Sequence, residues 1–377
     1  MKIVLAPDKF KGSLTGPEFC RIAEEAIREF LPQAEVISLP LADGGDGTAE
    51  VLQDRLGASR IEATVSDPLF RPLTTDYLFE DSSGLAFIEM AQASGYALLQ
   101  PEERNPMFTT SFGTGELIHY AIKAGAKRLI IGLGGSATND AGTGMAAALG
   151  YRFLDKNGAE VSPVGKNLEK ITRIEVPAED PLRGIQVDLA CDVSNPFFGE
   201  RGAAYVYGPQ KGANAQEVEQ LDRGLQSFAA LVKKEFDINL QYIPGAGAAG
   251  GVGGGAVAFL GAKHRSGIEL VKELLDFEAS LRGADWVITG EGALDEQSLY
   301  GKTIQGVTHS AQDKGIPVAV FCGHLDLAET KRKEVGIAFA TSINKPDQTL
   351  EEAIANTSMN LKEAVTSFVK GVLLPLE

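Results

Sequence analysis

Basic residues are scarce in this chain: 35 lysines and arginines stand against 51 aspartates and glutamates, a formal charge of -16. So acidic a composition argues against general affinity for nucleic acid or anionic membrane, since both capture proteins through concentrated positive charge. An anionic substrate must therefore meet cations gathered locally. Long apolar runs are missing too, and none approaches the roughly 18 residues of a membrane-crossing helix. The opening MKIVLAPDKF holds one early lysine and an apolar run closed by Pro7, too short for the core of a secretory signal. Cysteine occurs only at positions 20, 191 and 322, an odd and widely spaced set that fits reduced thiols rather than a disulfide framework. A cytoplasmic protein is expected. His119, His264, His309 and His324 show no metal-ligand spacing and no partnered nucleophile, so most are read as structural. Of the four, only His324, at a strand end, is expected to see a crevice.

Glycine and length are what the chain has. With 377 residues and 44% apolar content, it exceeds the size at which one core keeps growing, so two domains are expected. Its 43 glycines with only 7% aromatics suit an α/β enzyme whose backbone must approach a phosphate or cofactor closely.

The opening reads as strand 2–6, a capping box Thr15-Gly-Pro-Glu18, a helix through Phe19, Ile22, Ala26 and Phe30, a strand 35–39, and a helix ending near Gly57. That βαβα order implies a parallel sheet. From about 60 to 90 hairpin texture takes over, with a turn at Asp81-Ser-Ser-Gly84. Beyond it come a helix at 110–124, strands at 128–133 and 186–191, a hairpin at Asp155-Lys-Asn-Gly158 and a long helix near 215–236. The glycine-dense stretch 244–262 is too apolar for a solvated linker and is expected to pack closely against its surroundings. From 285 the alternating pattern resumes: strands 285–289, 317–321 and 337–341, a helix after Thr303 and another after 349. Neither chain end alone supplies a full sheet. The reading is one doubly wound domain from 1–60 plus 285–377, an inserted α/β domain at 61–284, and an active site in the cleft between them.

Three strands of the end-built domain finish alike: Asp8-Lys-Phe-Lys11-Gly-Ser13, Asp43-Gly-Gly-Asp46-Gly and Gly290-Glu291-Gly-Ala-Leu-Asp295. In a parallel sheet all carboxyl ends open on one crevice, so these acids should converge. Glycines admit an anion to the backbone and carboxylates want a cation, a pair of demands that a magnesium nucleotide meets. In the middle domain, Gly132-Leu-Gly134-Gly135-Ser136-Ala-Thr138-Asn139-Asp140 follows an apolar strand and can form an anion-binding nest. The same turn has dinucleotide spacing at Gly132, Gly134 and Ala137, with Asp155 farther on, so a nicotinamide-dependent oxidoreductase is one alternative. A non-enzymatic small-molecule binding protein is the other. Gly301-Lys302-Thr303 imitates the end of a Walker A loop but has Glu296 where the first glycine belongs; Lys302 can still reach a phosphate. Asp192, after an apolar strand and before Asn195-Pro196, fits a base or a magnesium ligand.

Taken together, these segments resemble the bacterial type I glycerate kinases: APDKFKGSL at 6–14, ADGGDGT at 42–48, RNP and TSFGTGELI within 104–118, GLGGSATNDAG at 132–142, CDVSNPF at 191–197, YGPQKGA at 207–213 and GEGALDEQSLYGKT at 290–303. The resemblance implies ATP- and Mg2+-dependent phosphorylation of D-glycerate, most often at the 2-hydroxyl, by a flavodoxin-like domain carrying an inserted α/β domain. It further implies Lys11 on a phosphate or the glycerate carboxylate, Asp8, Ser13, Lys302 and the 134–140 turn on substrate or phosphate, and Asp43, Asp46 and Glu291 on magnesium. Asp192 or Asp295 would receive the substrate hydroxyl. No nucleic-acid or membrane partner is implied, and no residue pattern signals an oligomeric state.

Overall fold

The computed structural model describes residues 1–374 apart from 46, 297, 299–301 and 347. In chain order the strands are β1 (Lys2–Leu5), β2 (Glu35–Ser38), β3 (Ser59–Ser66), β4 (Pro72–Glu80), β5 (Leu85–Glu89), β6 (Arg128–Gly132), β7 (Arg152–Leu154), β8 (Arg173–Glu175), β9 (Gln186–Ala190), β10 (Lys263–Arg265), β11 (Trp286–Leu294), β12 (Val318–Leu325) and β13 (Ile337–Ser342). The fold is mixed α/β and divides into two compact units, Met1–Asp43 with Glu50–Leu56 and Ser266–Glu377, and Gly44–Ala49 with Gly57–Arg265.

In the first unit a five-stranded sheet runs β13-β12-β11-β1-β2, parallel throughout. From β1 the chain steps outward to β2, then returns on the other side and steps outward through β11, β12 and β13. The order reverses between β1 and β11, which is the switch point of the flavodoxin-like arrangement. The helix Gly16–Phe30 starts where expected: the Thr15 hydroxyl accepts from the Glu18 amide at 3.3 Å, while the Glu18 carboxylate accepts from the Thr15 amide at 2.9 Å. Its apolar stripe, Phe19, Ala23, Ala26 and Ile27, joins a core with Ile3, Leu5, Ile288, Phe321 and Phe368. Each such Phe or Ile contributes about 1.5–3 kcal/mol by leaving water.

The second unit holds a six-stranded sheet, β10-β9-β6-β5-β4-β3. β3, β4 and β5 are antiparallel, as the turn after Glu80 foretells, while β5, β6, β9 and β10 are parallel. Phe153, Phe228 and Phe259 meet in its core, with ring centroids 5.7–6.2 Å apart. The glycine-dense stretch becomes the helix Ala248–Leu260, entered through three left-handed residues, Ala249, Gly250 and Gly251. Thr138 Oγ1 donates to the Ala249 carbonyl at 3.1 Å and the Ala141 amide to the Gly250 carbonyl at 3.1 Å. A Cβ on Gly250 would stand 2.0 Å from the Thr138 carbonyl oxygen, so this contact requires glycine twice over, for space and for its φ of +71°.

Two sequence expectations shift. The return to the first unit falls at Ser266, not at 285. The helices Gly267–Leu274 and Phe277–Ser280 bury Ile268, Val271 and Phe277, and Ile268 packs on Gly306 of the helix Thr303–Gln312 in that same unit. The turn at 155–158 forms, with the Asp155 amide donating to Ala159 at 2.9 Å, but it carries one bridge only, Leu154 to Glu160. β7 finds its ladder partner in β8 instead.

Candidate active site

At the switch point the segment after β1 stays tied to β11. Thr289 Oγ1 donates to the Ala6 carbonyl at 2.7 Å, and the Asp8 amide donates to the Gly290 carbonyl at 2.9 Å. Asp8, just beyond the end of β1, and Glu291, within β11, are therefore brought together. The Asp8 carboxylate accepts from Thr303 Oγ1 at 2.5 Å and from the Lys9 amide at 2.7 Å. Burial nevertheless pushes its pKa up to about 6, the Thr303 hydrogen bond opposing and the charge of Asp43 adding to the rise. Glu291 is 9% exposed and, among the described residues, its Oε1 has no hydrogen-bond partner. Burial raises it to about 7; Ser298 and the charge of Lys302 pull the other way, while Asp8 and Asp295 reinforce the rise. A buried carboxyl with an open oxygen and carboxylate neighbours calls for a proton or a cation.

Around this pair, Phe10 and Leu14 are buried and pin the loop by Phe10 N–H to Leu14 O at 2.8 Å, which leaves Lys11 exposed and Ser13 half-buried between them. Asp295 accepts from the Ser298 amide at 3.0 Å and so closes the turn after β11. Lys302 occupies the N-cap position of the helix Thr303–Gln312. Asp43 is half-buried, and Asp46 lies outside the described residues. His324 is exposed near the end of β12, where Ala293 of β11 is its register partner.

In the second unit Gly132 ends β6 in register with Glu89 of β5 and Ala190 of β9. The glycine turn and Asp192 thus leave the same carboxyl edge of this sheet. Gly134 and Gly135 are exposed there, and Gly135 has φ +70°. Ser136, Thr138, Asn139 and Asp140 are buried, and among the described residues Asn139 Nδ2 has no partner. The expected phosphate contact at Asp140 needs correction. Its Oδ2 accepts from the Ser111 amide and hydroxyl, both at 2.7 Å, and from the Gly144 amide at 3.2 Å; its Oδ1 accepts from the Gly142 amide at 3.2 Å. A fully buried carboxylate turned inward on four donors holds the turn's shape. Asp192 is exposed. The loop behind it is ordered by Asn195, which donates to Arg201 O at 2.9 Å and accepts from the Tyr207 hydroxyl at 2.6 Å.

One group escaped the sequence analysis. Lys211, inside the quoted YGPQKGA segment, is 5% exposed, and its Nζ donates to Ser136 Oγ at 2.9 Å and to the Thr138 carbonyl at 2.8 Å. Its only sequence signal is a lysine held between Pro209 and Gly212. Among the described residues, no three His, Cys, Asp or Glu side chains are placed to hold a metal ion by themselves.

One unit carries acids at the switch point of a doubly wound sheet and the other a glycine turn at parallel strand ends, features that a small-molecule kinase uses for a metal nucleotide. The model of the glycerate kinase family matches residues 3–373. The glycerate kinase of Halalkalibacterium halodurans is 42% identical over 363 residues, covering 96% of each chain. The glycerate 2-kinase of Escherichia coli K12 is 41% identical, covering 94% of this chain and 95% of its own. A crystal structure provisionally described as glycerate kinase 2 from Salmonella typhimurium LT2 superposes with a TM-score of 0.90 at 39% identity, covering 99% and 98% of the two chains. The chain belongs to the glycerate kinase family. Both alternatives fall with that finding. For the oxidoreductase the structure adds a reason: Asp155, the acid meant for a ribose, spends its carboxylate on the Asn157 and Ala159 amides of a surface turn.

Proposed function

We propose that this protein transfers the γ-phosphoryl group of ATP to the 2-hydroxyl of D-glycerate, giving 2-phospho-D-glycerate and ADP, with magnesium, in the cytoplasm. The observation that carries the reading is the buried, open Glu291 carboxyl beside Asp8 at the switch point, in a chain of this family. When bound, magnesium supplies charge neutralisation at the phosphates; Glu291 and Asp43 would hold it directly or through water, with Asp46 as a third candidate. Phosphoryl transfer passes through a loose transition state, so positioning and charge outweigh covalent help. Lys11, exposed at its loop tip, supplies a cation to a phosphate or to the glycerate carboxylate. Asp8 and Ser13 line the same loop, and Lys302 adds charge next to Glu291. The amides of Gly134 and Gly135, with Ser136 and Asn139, receive phosphate oxygens, while Thr138, buried with its hydroxyl on the Ala249 carbonyl, supports the turn. Asp192 takes the proton of the substrate hydroxyl as its oxygen bonds to phosphorus and the bond to ADP breaks; Asp295 is the second candidate for that part.

Cytoplasmic residence draws on the thiols. All three cysteines are free, and burial pushes Cys20 and Cys322 up to about 12, far from reactive. Among the described residues no helix is long and apolar enough to cross a membrane.

A thermal-shift comparison tests the reading against the nucleotide alternatives. MgATP at about a hundred times its dissociation constant should stabilise the fold by about 2.7 kcal/mol and raise the melting temperature, while NAD and NADP leave it unchanged. Stabilisation by NAD with none by MgATP would reverse the assignment.

A further inference from the structure

The kinase reading leaves one buried charge without a task. Lys211 sits in the short turn Pro209–Lys211, and two of its three ammonium donors are committed, to Ser136 Oγ and the Thr138 carbonyl. Both acceptors are neutral. Among the described residues no ion pair forms at Lys211, and Asp140, the carboxylate whose charge reaches it, is already occupied by Ser111, Gly142 and Gly144. Burial accordingly holds the ammonium down to about 7, with Asp140 pulling upward. A buried cation of this kind costs stability unless another charge offsets it.

What Lys211 fixes points to that other charge. Ser136 and Thr138 follow directly on Gly134 and Gly135, the exposed part of the turn, and Asn139 comes next with a buried side-chain nitrogen lacking a partner among the described residues. The ammonium thus lies beneath the exposed glycines of the turn, bonded to the two buried residues that follow them. A phosphate dianion gains more from a fixed cation at this depth than a carboxylate of single charge does.

We propose that Lys211 is a positioning residue for nucleotide phosphate: it holds Ser136 and Thr138 in place and sets a fixed positive charge behind the phosphate received at Gly134 and Gly135. The assignment rests on the kinase reading of this turn and adds the residue on which its affinity depends.

Lys211→Met keeps the length of the side chain without charge or donors, and Lys211→Gln keeps donors without charge. Calorimetric titration of the full-length protein with ADP in the presence of magnesium should show both variants binding at least about tenfold more weakly than the parent. The KM for D-glycerate should stay within about threefold, below the effect of losing one good hydrogen bond. The melting temperature of Lys211→Met should be unchanged or higher, because an uncompensated buried charge is gone. A lysine that only props the chain gives the opposite pattern: a lower melting temperature with ADP bound as tightly as by the parent, and that result overturns the proposal. Should Lys211→Met not fold, Lys211→Gln decides by the same ADP titration. A parent that binds no ADP removes the kinase reading and this inference together; a parent that binds ADP no better than its variants removes the inference alone.

Discussion

Glu291→Gln is expected to lower turnover roughly a hundred- to a thousandfold, the scale of losing one preorganised electrostatic contact to a transition state, and to raise the magnesium concentration needed for half activity. The substitution keeps the side chain's shape inside β11 and removes its charge. Without the metal, burial pushes Glu291 up to about 7 and Asp8 up to about 6; bound magnesium lowers both, so parent activity should fall on acidification only below those values, as the cation loses its carboxylates. The sign for stability is opposite. A carboxyl whose folded pKa lies above its ordinary value favours the fold fully below that ordinary value, and the contribution is lost as pH rises through about 7. Without magnesium, the parent's melting temperature should therefore decline from pH 5 to pH 8 more steeply than that of Glu291→Gln. Turnover within about threefold of the parent at unchanged magnesium dependence, well below the usual loss for such a contact, would remove Glu291 from the site.

Asp192→Asn carries the second large effect. If Asp192 takes the proton of the glycerate hydroxyl, turnover should fall by roughly two to four orders of magnitude with little change in nucleotide affinity. If it holds magnesium instead, MgATP binding weakens and the magnesium requirement rises. A carboxylate that only shapes its loop predicts a third pattern, a lower melting temperature with near-normal turnover. Asp192 is exposed at the carboxyl edge of its sheet, and as the proposed base it should give the first pattern. Turnover within about threefold of the parent, far below the usual acid–base contribution, takes Asp192 off the catalytic list.

Local rules carried the frame of this fold and stopped where distant segments meet. Thr15 and Glu18 announce their helix because a capping box is written in four consecutive residues. The acids after β1 and in β11 were legible as a pair because a parallel sheet brings all its carboxyl ends to one edge whatever the loops between them do. Asp140 was not legible. Its inward turn depends on Ser111, 29 residues upstream, whose amide and hydroxyl both reach one oxygen. Lys211 was hidden for the same reason: its partners Ser136 and Thr138 lie more than 70 residues earlier, at separations of 75 and 73. The return to the first unit was placed late because the helix Gly267–Leu274 has an apolar stripe that would suit either core, and only its packing on Gly306 assigns it.

The central claim is a transfer: one phosphoryl group leaves ATP and arrives on one hydroxyl of D-glycerate. Phosphorus NMR of the purified protein with ATP, magnesium and D-glycerate tests it in a single sample. The account predicts ADP and a phosphate monoester on the 2-hydroxyl appearing in equal amounts, with neither forming when glycerate is left out. ADP accompanied only by inorganic phosphate, or ATP left intact beside glycerate, would contradict it.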